Sequence, residues 1–185
     1  MTDEESPVTR AIQNTQPNLK TPTRFSHYAL SCGLLLVPAI AWNLAFTSKL
    51  MPASAMTEFW RDIPGALVFV ENLLRALVFG LPFAMPLQVA TKTEWRALLV
   101  FGLGTLVYFA SWLALMVWPH TAWSTSALGS LAPAYTPLLW LPSLAILGKR
   151  LFWGHFYRWW MYLLVCIGFL FAHITHAAIV YIRSA

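Results

Sequence analysis

The sequence predicts an all-α polytopic membrane protein, a bundle of five transmembrane helices with its N-terminus in the cytoplasm and its C-terminus outside. Three observations carry that expectation. Of the 185 residues, 58% are hydrophobic and 10% charged, with a mean hydropathy of +0.61, whereas a soluble domain carries about 25% charged residues. Of the 19 charged side chains (12 Lys and Arg, 7 Asp and Glu), six precede His27, eleven sit between apolar runs or just after the last, and only Glu71 and Arg75 fall inside one. A charge is costly in hydrocarbon and cheap at the interface, so this is the distribution a membrane imposes. Five apolar runs, 27–46, 64–87, 97–118, 127–147 and 160–182, are 20 to 24 residues long, against the roughly 20 a helix needs to cross. Nothing alternates with period two, which excludes barrel strands.

Residues 1–26 are rich in Thr, Asn, Gln and Pro and poor in large apolar side chains. Such a segment cannot bury enough surface to offset its ordering entropy and reads as a disordered cytoplasmic tail, leaving 27–185 as the membrane domain. The first run holds Cys32, Trp42 and Asn43. Ala53-Ser54-Ala55 resembles a leader cleavage site, but the long polar lead, the full-length run and the distance between run and site do not suit a secretory signal, so this run is expected to remain as a span. The loop 47–62 mixes Met51, Met56, Phe59 and Trp60 with Lys49, Glu58 and Arg61; it reads as a short amphipathic lid or a plain covering loop.

The second run opens with Asp62 as the expected N-cap and Pro64 in the first turn, and Pro82 and Pro86 are expected to kink its inner half. Glu71 and Arg75 stand four apart with the acid N-terminal, the favoured orientation for a pair. Counted from Ile63 they lie ~12 and ~18 Å below the outer boundary, where each charge costs about 2.5–3.5 kcal/mol on insertion scales. The third run carries Ala110 and Ala114, a small-residue packing cue, with Gly104, Tyr108 and Ser111 on a neighbouring face and His120 at its outer end. The fourth contains Pro133, Pro137 and Pro142, which make a broken or re-entrant segment the alternative to a full span. The fifth places His173 and His176 on one face, ~4–9 Å below the outer surface.

Charge counting orients the bundle. With five spans and the N-terminus inside, eight Lys and Arg residues lie on the inner side and three (Lys49, Arg61, Arg183) on the outer. Without the fourth crossing the split would be six to five and the positive-inside bias would vanish. Aromatic residues form two belts, Phe25, Tyr28, Trp95 and Trp153–Trp160 inside, and Phe46, Phe59, Trp60, Trp118, Trp123 and Tyr181 outside. The location that follows is the cell membrane, with the lipid bilayer, other membrane subunits or a second copy as partners. The Lys and Arg residues form no single patch, which excludes a nucleic-acid partner.

One band in the outer half collects Asn43, Glu71, Asn72, Arg75, His173 and His176 by depth, the expected ligand or proton site. A metal reading of Glu71, His173 and His176 lacks an HExxH context, haem pairing His120 with His176 lacks any supporting motif, and no cofactor is expected. Cys32 and Cys166 read as small apolar packing residues rather than a redox pair, with no activating charge nearby. P-loop, GxGxxG and GxSxG motifs are absent, so no catalytic residue is assigned and enzyme activity is not the leading expectation. Five helices with ten tryptophans are broadly similar to the translocator protein family, in helix count and composition alone. Three function classes stay open: a small non-enzymatic accessory or partner-binding subunit, a binder or transporter of a small or lipophilic ligand or of protons through an outward-facing pocket, and an intramembrane enzyme acting on a lipid or quinone.

Overall fold

A computed structural model describes residues 30–50, 59–152 and 156–184. The tail expected at 1–26, the cleavage-site resemblance at 53–55 and most of the lid loop lie outside these residues. The elements of the described chain are all helical, in the order α1 (Gly33–Leu50), α2 (Gly65–Gly80), a 3-10 turn (Leu81–Ala84), α3 (Lys92–Val117), α4 (Ala122–Thr125), α5 (Ala127–Ser130), α6 (Ala132–Tyr135), α7 (Pro137–Leu147) and α8 (Trp159–Ser184). Three segments are long and apolar enough to cross a membrane: Gly65–Ala84, Lys92–Val117 and Trp159–Arg183. Around them, large apolar side chains such as Phe69, Leu99, Leu103, Leu164 and Phe171 face outward. That surface suits hydrocarbon, since soluble proteins rarely expose broad apolar patches.

The spans expected at 27–46 and 127–147 are the two that the structure shortens. Leu30 and Cys32 leave the helical path to pair with the end of the second segment: Cys32 N–H donates to Met85 O (2.8 Å) and Leu87 N–H to Leu30 O (2.7 Å), an antiparallel bridge between Ser31 and Pro86. The apolar part of α1 is therefore Gly33–Phe46, about 21 Å at 1.5 Å per residue. From just ahead of the fourth run to its end the chain restarts its helix repeatedly. Thr121 and Ser126 each accept a backbone N–H three residues on, capping α4 and α5, and Pro133 and Pro137 sit in the first turns of α6 and α7, where the missing N–H is harmless. Four caps and prolines in 17 residues convert one apolar run into a chain of short helices.

The other ends have their own logic. Asp62 does not cap α2; it takes a left-handed backbone (φ 53°) and Pro64 occupies the cap without a side-chain bond, since Asp is among the few non-glycine residues that enter this region readily. Pro82 and Pro86 end the second segment rather than bending it: the helix tightens into the 3-10 turn at Leu81 and turns extended at Met85. α3 begins before its apolar run, because Thr91 and Glu94 form a capping box. Glu94 accepts from the N–H groups of Ala90 (2.7 Å) and Thr91 (2.9 Å) and from Lys149 Nζ (2.5 Å), tying the start of α3 to the end of α7.

α3 packs on α7 and α2 on α8, with α7 against α8 closing the bundle. Gly104 makes the first pairing possible: a Cβ there would lie 2.9 Å from Leu139 Cβ and 3.0 Å from Trp140 Cβ. Gly168 seats Leu74 in the second, at 3.2 Å from an added Cβ. The core between them is made of Leu36, Val78, Trp140, Leu144, Tyr162 and the free thiols Cys32 and Cys166, all essentially inaccessible.

Candidate functional site

The α2–α8 pairing brings two helical faces into register. Glu71 and Arg75 are one turn apart on α2, and His173 and His176 are nearly one turn apart on α8. The Glu71 carboxylate, fully buried, is the hub. Its Oε1 lies 2.9 Å from His173 Nδ1 and also accepts from Arg75 Nη2; its Oε2 lies 2.5 Å from His176 Nδ1. Arg75 Nη1 donates to Asn72 Oδ1 at 3.1 Å. The far nitrogen of His176, Nε2, lies 3.2 Å from the carbonyl oxygen of Phe59.

Aromatic rings hold the imidazoles in place. His176 sits between Phe59 and Trp60, with ring centroids at 4.3 and 5.0 Å, and His173 stacks on Phe169 at 5.2 Å with planes only 9° apart. Neither ring can turn without losing both a carboxylate contact and a ring contact. The Glu71 carboxylate and both Nδ1 atoms, which a metal would need, face one another. Among the described residues, no group of three or more His, Cys, Asp and Glu is arranged to hold a metal ion. His120 is exposed in the turn after α3, whereas His176 is fully buried.

Beside this cluster the helices line a half-open chamber of about 420 Å³. Arg75 and His173 belong to both, while Glu71 and His176 stand behind them. The rest of the wall is mostly apolar: Phe79, Leu115, Pro133, Pro137, Phe169 and Ala177, with Trp112 and Trp140. Asn43 of α1 reaches the chamber on the far side, where its Oδ1 accepts from Tyr108 Oη at 2.8 Å. The volume falls in the lower part of the range of about 300–1,000 Å³ usual for small-molecule sites. The broken stretch α5–α7 supplies Ser130, Pro133, Ala134, Pro137 and Trp140 to one side of it, so the short helices form a wall that a straight helix would have laid differently.

Of the six residues that depth alone grouped, Glu71, Asn72, Arg75, His173 and His176 make one contact network. Asn43 belongs to the chamber and to Tyr108. Sequence reasoning missed two polar contributors. The Phe59 carbonyl carried no signal, because any residue offers one. Tyr108 carried one, its place on a face with Gly104 and Ser111. No family model, curated protein or solved structure matches this chain.

Proposed function

We propose that this chain is an integral membrane protein that binds a small, largely apolar ligand in the chamber between its helices, with Arg75 and His173 at the polar end. The chamber is the observation that carries this reading. A subunit built only to hold partners has no need of a recess beside its polar cluster, and a concave, mostly apolar wall with a few polar groups at one end is the usual form of a small-molecule site. The five-crossing arrangement, N-terminus inside and C-terminus outside, belongs to the same reading. It is supported by the positive-inside count of eight against three and by the outward-facing apolar side chains, with α1 and the α4–α7 chain as the two shorter crossings. The chamber then opens in the outer half of the bilayer.

Ala177 lines the chamber and is not fully packed, so Ala177→Phe fills it with little disturbance elsewhere. In lipid nanodiscs, calorimetric titration with three amphiphiles of one chain length (decanol, decanoate and decylammonium) should give saturable binding of at least one to the wild-type protein. Ala177→Phe should abolish it. Identical isotherms for wild type and variant across the panel would refute the chamber as a binding site.

A further inference from the structure

The polar cluster holds one positive charge more than it can cancel internally, and we infer that the ligand supplies the missing negative charge: an amphipathic monoanion, its carboxylate-like head against Arg75 and its apolar body among Phe79, Leu115 and Phe169. This rests on the chamber being a ligand site and goes beyond it by naming the ligand's charge.

The charge follows from counting protons. The Phe59 carbonyl oxygen can only accept, so His176 Nε2, 3.2 Å away, carries a hydrogen. On the other side of the ring, Nδ1 and Glu71 Oε2 are 2.5 Å apart, a contact with one proton in it. If the proton sits on the ring, the pair is imidazolium and carboxylate; if on the oxygen, it is neutral imidazole and carboxylic acid. Both versions sum to zero. Glu71 Oε1 is a shared acceptor for His173 Nδ1 and Arg75 Nη2, which neutral His173 satisfies as a donor. Asn72 adds a neutral oxygen. The guanidinium charge of Arg75 is left over. The other carboxylates among the described residues are committed elsewhere, Asp62 to Arg61 and Glu94 to Lys149. An unmatched charge at this depth is costly, and a counter-anion in the adjoining chamber removes that cost.

The chamber wall has the complementary chemistry. Arg75 gives one N–H direction to Glu71 and one to Asn72, and a guanidinium has five N–H donors. The Asn43 carbonyl oxygen is already taken by Tyr108. The remaining Arg75 donors ask for a head that accepts.

The test compares headgroups in the full chain in zwitterionic nanodiscs, with empty discs subtracted. Decanoate should bind at least about tenfold more tightly than decanol, a factor of the size expected when a hydrogen bond gains a charge, and decylammonium should bind most weakly. Arg75→Gln should bring decanoate to within about twofold of decanol, and Arg75→Lys should keep most of the preference. Decanol or decylammonium binding as tightly as decanoate would overturn the inference, and so would a preference that survives Arg75→Gln. Chloride binding without decanoate binding would overturn the apolar body. The wild-type headgroup order needs no variant, so a misfolded Arg75→Gln does not blunt the test. Failure of the chamber itself shows separately, as Ala177→Phe binding the whole panel like wild type.

Discussion

Glu71 is where the cost of the site concentrates. A carboxylate with no solvent exposure, it survives in an apolar bundle because three donors converge on it: Arg75, His173 and His176. Such a group rarely outperforms an apolar residue of the same size, yet removing one partner strands the others. Glu71→Ala should therefore lower stability by about 3–5 kcal/mol. Glu71→Gln, which keeps an acceptor oxygen, should lower it less, and thermal unfolding of the purified protein should rank wild type above Gln above Ala. Equal melting of the Ala variant and wild type would show that the cluster contributes nothing to the fold. At this scale the sequence exposed the members but not their order. Two charges inside an apolar run and two histidines on one helical face announce themselves. That Glu71, rather than Arg75, is the hub depended on α8 lying alongside α2.

Elements show the opposite balance. The end of α3 was legible to within one residue, while its start lies five residues ahead of the apolar run and was written in Thr91-Lys92-Thr93-Glu94, since Glu94 reaches back to the N–H groups that the first turn leaves open. Thr91→Ala should cost about 1 kcal/mol. Glu94→Ala should cost more, because it also frees Lys149 from its partner across the bundle, and the two variants' melting temperatures should fall in that order. The α3–α7 contact depends on a missing side chain. Gly104→Ala places a Cβ 2.9 Å from Leu139 Cβ and 3.1 Å from its backbone carbon, and backbone cannot rotate away. A loss of about 1–3 kcal/mol is expected, whereas Gly102→Ala, which meets nothing within 4 Å, should leave melting unchanged or raise it slightly. The segment 122–147 marks the limit of element reading. Hydropathy sees one continuous run, but Ser, Thr and Pro restart the backbone at several points, and hydropathy is blind to caps.

For the whole molecule the open quantity is the path through the bilayer. Cys32 and Cys166 are both fully buried, so the folded protein should resist a membrane-impermeant maleimide without further engineering. Single cysteines at His120 and Lys149, both exposed and on either side of the α4–α7 chain, then report the crossing directly. In intact cells, His120→Cys should label and Lys149→Cys should label only after the membrane is opened. Labelling of both from one side would mean that the broken segment returns without crossing.

By itself the sequence determined the class of this protein, because hydropathy and charge placement are properties of each residue in its solvent and need no neighbour. It also set the relative heights of the polar residues along their own helices, which follow from helical rise. Only the tertiary structure decided that Glu71 is shared among three donors, that a proline-broken segment forms the wall of a chamber, and that Arg75 and His173 face into it. Those features are contacts between helices far apart in the chain, and lateral adjacency is set by which small residues let which faces close. Gly104 and Gly168 did that here, and their neighbours decided the rest.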